Sequence, residues 1–209
     1  MKKIVVLIKE VPDPKGLGVS KSKAQIFERE KRIINPNDRF AIELALKLKD
    51  QGEAEVTAIS VERKESATTL KELYALGADN VILVETENEL DSNQIAHVIA
   101  EKIKDADIVL GGSFSVIHEI GEVPQRVAAA LGKPFFGDIE DVEIKGDVVK
   151  IAGVGEVTSF VATVKPGSNK PRRPSAKMII LSRKKEVKIE KFEGELPSPS
   201  KTRIATELP

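Results

Sequence analysis

Unbroken aliphatic runs alternate with segments whose apolar residues recur every three to four positions, and this rhythm governs the first two thirds of the chain. Ile4–Ile8 (IVVLI) is continuous, as strands buried on both faces of a parallel sheet are, and Val11-Pro12-Asp13-Pro14 stops it. Lys15–Ser22 is a Gly/Ser/Lys-rich loop, and the mixed, charged stretch Ala24–Ile34 reads as a short hairpin crossing the mouth of the sheet. Asn35-Pro36-Asn37-Asp38 opens a helix, with an Asn or Asp as cap and an acid in the first turn to suit the dipole. Its stripe is Phe40, Ala41, Leu44, Ala45 and Leu48, and Gly52 ends it. Val56–Val61 is a second strand, Ser66–Leu76 a helix with Ala67, Leu70 and Leu73 inward and Gly77 as its stop, and Val81–Val84 a third strand. A helix over Asp91–Lys104, capped by Asp91 or Ser92, leads to a fourth strand, Ile108–Leu110, ended by Gly111-Gly112. After an irregular loop, Pro124 falls where a helix takes its first residue; Val127, Ala128, Ala130 and Leu131 form its apolar face and Gly132 its C′ position.

Strands alternating with helices over residues 1–134 predict right-handed β-α-β crossovers and an α/β fold: a doubly wound, mostly parallel, Rossmann-like sheet. The pattern changes after Pro134. Asp141–Lys150 alternates around Gly146-Asp147 as a hairpin, and Glu156–Val164 reads as one further strand. Lys165–Lys185 carries eight Lys or Arg and no acid, its prolines (Pro166, Pro171, Pro174) argue against a helix, and Ile179–Leu181 reads as a last strand. From Lys184 the chain is charged and then Pro/Ser-rich, an arm that is either disordered or lies against another subunit. The expected division is one α/β domain with a C-terminal β-hairpin region over residues 1–183, followed by an arm over 184–209.

Charges balance at 33 of each sign, so no overall field favours nucleic acid or an anionic membrane. The basic stretch 165–185 holds no aromatic residue on which bases would stack, and the expectation is a solvated loop and no nucleic-acid partner. With no cysteine, disulfides, iron–sulfur clusters and thiol chemistry are excluded, which fits an intracellular, cytoplasmic chain. No apolar segment approaches the roughly 20 residues that span a bilayer, so no membrane insertion is expected, and the N-terminal run is too short for a signal-peptide core. Lys9-Glu10-Val11-Pro12 stands where a dinucleotide fold carries G-x-G-x-x-G; there is no P-loop and no nucleophile elbow. His97 and His118 lie on different elements with no cluster of acids around them. Neither a catalytic set nor a metal site is expected. What remains is a sheet edge with two loop–helix junctions, at Asn35–Asp38 and Gly112–Pro124, whose free N–H groups suit a nucleotide or nucleotide-like cofactor, with ordinary helix capping as the alternative.

Several segments, taken together, resemble the β subunit of electron transfer flavoproteins: IVVLIKEVPDP, IINPNDRFAIELALKLKDQGEAEVTAIS, TTLKELYALGADNVILVE, IVLGG, VAAALGKP, and NKPRRPS followed by a basic run. They appear in family order over residues 3–185. The resemblance implies a heterodimer with an α subunit that carries FAD and relays electrons to or from dehydrogenases, and an adenine nucleotide in this chain, AMP or a second FAD. It puts Leu7, Asn35, Asn37, Asp38 and Val61 against that nucleotide, and the loop after the fourth strand, with Gly112, Glu119, Glu122 and Val123, around its phosphates. The NP-x-D form and the VPDP segment look more like the bifurcating and nitrogen-fixation-linked branch.

The chain departs from the family pattern in that loop, which reads Phe114-Ser115-Val116, Ile117-His118-Glu119 and Glu122-Val123 where aspartates and an amide are usual. Glu119 keeps one acid and Glu122 adds another. Ala176 stands at the position of a leucine that docks the dehydrogenase. The segment between Gly155 and Asn169 and the C-terminal arm are both short. A reading from a different class is a stand-alone adenine-nucleotide-binding regulatory protein without redox activity.

Overall fold

The aliphatic runs do form strands, and nearly all of them enter one sheet. The computed structural model describes residues 1–20, 25–28, 31–52, 54–116 and 121–199. In chain order the elements are β1 (Lys2–Leu7), β2 (Glu10–Pro12), β3 (Leu17–Ser20), β4 (Gln25–Glu28), β5 (Arg32–Ile34), α1 (Asp38–Asp50), β6 (Ala54–Glu62), α2 (Ala67–Leu76), β7 (Asn80–Glu85), α3 (Ser92–Lys102) and β8 (Ile108–Gly112). They continue with α4 (Glu122–Leu131), β9 (Phe135–Ile139), β10 (Val142–Lys145), β11 (Val148–Ile151), β12 (Gly155–Val157), β13 (Phe160–Val164), α5 (Ala176–Ser182) and β14 (Lys188–Lys191).

Seven strands lie in the order β14-β7-β6-β1-β8-β13-β9, and each neighbouring pair is parallel. From β1 the chain builds outward through β6 and β7, then returns to place β8 on the other side of β1. The switch point of this doubly wound sheet therefore lies between β1 and β8, where open α/β sheets hold their ligands. Alternate residues of each strand feed two cores. Ile4, Val6, Ala58, Leu83 and Leu110 pack with α1 and α2, whereas Val5, Leu7, Ile59, Val84 and Val109 pack with α3 and α4. Helix α1 contributes Ala41, Leu44, Ala45 and Leu48, all buried, at the expected spacing. Helix α3 starts in a capping box: Gln94 N–H donates to Asp91 Oδ1 at 2.9 Å and Asp91 N–H to Gln94 Oε1 at 3.3 Å. Such a cap contributes about 1 kcal/mol.

Several expectations are corrected. Residues 156–164 do not form one strand: β12 belongs to a small antiparallel sheet with β10 and β11, and β13 enters the main sheet between β8 and β9. Strand β9 has no counterpart in the sequence reading. Ile179–Leu181 is not a strand. It lies in helix α5, which begins two residues after Pro174, with Ser175 Oγ accepting Met178 N–H as its cap. Gly111 and Gly112 continue β8 instead of ending it, and Pro124 is the third residue of α4, where its missing N–H still has no intrahelical use. The predicted mouth hairpin is longer, pairing β2 with β5 and β3 with β4. From the stretch read as an arm, β14 pairs with β7 at the edge of the sheet.

The basic segment is fastened to α1 by Arg172. Its backbone N–H and Nε each donate to Glu43 Oε2 at 2.9 Å, and its Nη2 reaches Asp50 Oδ2 at 2.8 Å. The Glu43 side chain is only 7% exposed, so it depends on this partner. Removing one member of a buried pair strands a charge, whereas exposed pairs such as Lys104–Glu101, 65% and 44% exposed, contribute little. Arg172→Ala is expected to cost about 2–3 kcal/mol in urea denaturation, against under about 0.5 kcal/mol for Lys104→Ala.

Candidate functional site

The site is built where β1, β6 and β8 end together. Leu7 closes β1, Val61 stands one residue before the end of β6, and Gly112 is the last residue of β8; both aliphatic side chains are buried in the core beneath α3 and α4. Helix α1 begins beside them, and its approach is polar: Asn35, Asn37 and Asp38 are all buried.

These three side chains do not cap their own helix. Asn37 occupies the N-cap position with helical dihedrals and makes no side-chain cap bond, which corrects the capping expected from the sequence. They bind the neighbouring strand ends instead. Asp38 Oδ2 accepts the N–H of Lys9 at 2.7 Å, Asp38 Oδ1 accepts Asn35 Nδ2 at 2.9 Å, and the Gly112 N–H is a third donor to the carboxylate. Asn35 Nδ2 and Asn37 Nδ2 both donate to the carbonyl of Phe114, at 3.0 and 2.9 Å, and Asn35 Oδ1 accepts Val116 N–H at 3.3 Å. A Cβ at Gly112 would collide with Asp38 Oδ1 and lie 2.8 Å from the Asn37 carbonyl carbon, so glycine is required for β8 and α1 to meet here.

Burial pushes the Asp38 carboxyl up to about 7, against the three N–H donors and the Lys9 charge, which favour its ionised form.

The loop after β8 is held from both sides. Ser113 Oγ donates to Val164 O at 3.0 Å and also bonds the carboxylate of Asp138, which itself sits at φ 52° and donates its N–H to Thr163 Oγ1 at 2.8 Å. At the far end, Gly121 lies so close to the Ser113 carbonyl that no side chain fits. Helix α4 then starts with Gly121 as N-cap and no side-chain cap. Glu122, at its first position, is engaged elsewhere: Ser92 Oγ donates to it at 2.9 Å and Arg126 Nη2 at 2.9 Å, and together they hold its carboxyl below the usual range, the serine contributing more. Val123 packs against the core under α3 and α4. Glu119, with Ile117, His118 and Ile120, lies outside the described residues.

Of the sequence-predicted residues, the fold thus gathers Leu7, Asn35, Asn37, Asp38, Val61 and Gly112 at one edge, with Glu122 and Val123 on the helix that follows. Sequence reasoning missed the Phe114 carbonyl, the Lys9 N–H, Ser113 with Asp138 and Thr163, and Ser92. A carbonyl or amide has no sequence signature; Ser113 and Asp138 each follow a glycine, the one signal that marks them. Among the described residues no group of three His, Asp or Glu side chains is placed to hold a metal.

A family model of the electron transfer flavoprotein domain matches residues 24–193. The chain is 34% identical over 199 residues to electron transfer flavoprotein subunit beta of Clostridium acetobutylicum, covering 89% of this chain and 77% of that protein. It is 32% identical over 169 residues to the Bacillus subtilis protein of the same name, with 73% and 65% covered. It is 29% identical over 150 residues to a subunit of the caffeyl-CoA reductase–Etf complex of Acetobacterium woodii, with 68% and 57% covered. The chain spans less than two thirds of the last two proteins.

Two outcomes follow from the junction. Gly112→Ala is expected to destabilise the chain by about 1–3 kcal/mol in thermal or urea unfolding, because backbone stands where the methyl must go. Asp38 has a folded-state pKa above its unfolded value, so the native state binds the extra proton. Its contribution to stability is full below about pH 4 and is lost as pH rises through about 7. Stability measured across that window should fall more steeply in the wild type than in Asp38→Asn.

Proposed function

Because the chain belongs to the electron transfer flavoprotein family as a β-subunit-type member and has an electron-transfer role, we propose that it pairs with an α subunit in a heterodimer that carries FAD. In this reading the chain also binds an adenine nucleotide, AMP or a second FAD, at the β1–β8 switch point. The flavin supplies the redox chemistry; the protein contributes position and electrostatics.

The observation that carries the nucleotide reading is the start of α4. A ten-residue helix opens beside Ser113 without a side-chain cap, and the one carboxylate of its first turn is already engaged by Ser92 and Arg126. First-turn N–H groups in that state suit a phosphate. The acid at Glu122, unfavourable beside a phosphate if free, is thereby compensated. Leu7 and Val61, almost wholly buried at the ends of β1 and β6, form the apolar base of this sheet edge.

The partner surface is carried by α5. Ala176, at the position of the family's docking leucine, is the first residue of this helix, and Met178, Ile179, Ile180 and Leu181 that follow are exposed, Ile180 at 59%. An aliphatic anchor is thus offered within two turns of the usual place. This helix is the docking surface for a dehydrogenase or reductase, and aliphatic anchors of this kind dominate such contacts.

Co-expression with an α-type subunit is expected to yield a yellow 1:1 complex with flavin absorbance, and calorimetry on this chain should find AMP or FAD binding; tight ATP binding without any α partner points instead to the regulatory reading. Ile180→Glu is expected to leave flavin content and melting unchanged while slowing electron exchange with the dehydrogenase about tenfold or more; an unchanged rate moves the docking surface elsewhere.

A further inference from the structure

Asn35, Asn37 and Asp38 sit at the proposed nucleotide site, yet their polar atoms are spent on the chain itself. Asp38 takes N–H groups from the ends of β1 and β8, both asparagine amides converge on the Phe114 carbonyl, and Asn35 Oδ1 takes the Val116 N–H. All three side chains are at least nine-tenths buried. We propose that this triad is a latch: Asn35, Asn37 and Asp38 are positioning residues that hold Gly112–Val116 against the start of α1, and they act on the nucleotide only through that segment.

Three features carry the assignment. First, Asn37 makes no cap bond, so its side chain serves the β8 loop and not its own helix. Second, the donors and acceptors match: the amide groups face a carbonyl, and the carboxylate faces N–H groups, so each segment's backbone is satisfied without a ligand. Third, Gly112 permits a contact with Asp38 and the Asn37 backbone that any side chain would block. The loop's base is fixed on its other side by Ser113 with Val164 and Asp138, and by the close approach of Gly121. With its base held on both sides, Gly112–Val116 is ordered before a nucleotide arrives, which lowers the ordering cost of binding.

The inference rests on the nucleotide-binding reading, and the test separates the two. Hydrogen exchange is followed by mass spectrometry on the full chain, with and without saturating AMP, alongside AMP calorimetry, for wild type, Asn37→Ala and Asp38→Asn. Without AMP, amides of residues 112–116 are expected to exchange at least tenfold faster in both variants while β1 and β6 keep wild-type protection. AMP affinity falls by at least tenfold, and saturating AMP restores protection of the loop. A purely structural role raises exchange throughout the sheet and is not reversed locally by AMP. Weaker AMP binding with wild-type exchange makes the side chains direct contacts and overturns the proposal, as does faster exchange with unaltered affinity. Asn37→Ala, which leaves Asp38 and the helix start in place, carries the test should Asp38→Asn not fold. If the wild-type chain binds neither AMP nor FAD, the nucleotide reading falls and the latch's role in binding falls with it; binding with unaltered variants sinks the latch alone.

Discussion

A single buried carboxylate joins three parts of this chain that the sheet alone does not hold together. Lys9, two residues past the end of β1, gives its N–H to a side chain and not to a strand, and an unpaired buried N–H costs about as much as a lost hydrogen bond. Asp38 takes the N–H of Lys9 on one side and of Gly112 on the other, and it does so from the first residue of α1. Burial opposes its charge more strongly than the donors favour it, and the carboxyl is pushed up to about 7. Helix α1 cannot shift without moving both strand ends. Everything that follows β8, including the start of α4, inherits its place from that constraint.

The same rule recurs wherever an acid is withdrawn from water. Glu43 is satisfied by Arg172, and Glu10, 4% exposed, takes Arg32 Nε and Ser66 Oγ at 2.7 Å each. In the first case the partner fastens the basic segment to α1; in the second it ties β5 and the turn before α2 to the start of β2. These contacts set where the loops go. The apolar layers set only where the strands and helices lie.

The layers were legible and the contacts were not, for physical reasons. Periodicity is a local signal, so Ile4–Ile8, the α1 stripe and a start of α3 at Asp91 or Ser92 could be read within windows of a dozen residues. The segment FFGDI could not: β9 is an edge strand, half exposed, interrupted by Gly137 and by Asp138 in a left-handed conformation. Ile179–Leu181 misled in the opposite way. Consecutive aliphatic residues suggest a buried strand, but here they lie on a helix with their side chains exposed, and burial is what the pattern argument assumes. At the site, the Asn35–Asp38 motif marked the right junction, but its bonding partner Phe114 is 79 and 77 positions from Asn35 and Asn37. No local reading connects a side chain to a carbonyl at that separation. The family resemblance located the residues without saying what their atoms touch.

The last described residues cross from one face of the sheet to the other. After α5, Tyr74 OH donates to Glu186 O on the α2 side; β14 then runs along β7, and Phe192 meets His97 edge-to-face on the α3 side, with Gln94 reaching Pro197 O. The strand is four residues long with mostly exposed side chains, so little apolar surface is regained when it pairs. Opening of a native sheet draws on such segments first, whereas β1 and β8 open only with the whole. The sheet is therefore graded, firm at the β1–β8 centre and progressively cheaper to open toward β14, and the surface that such an opening uncovers is the free edge of β7 together with the flank of α3.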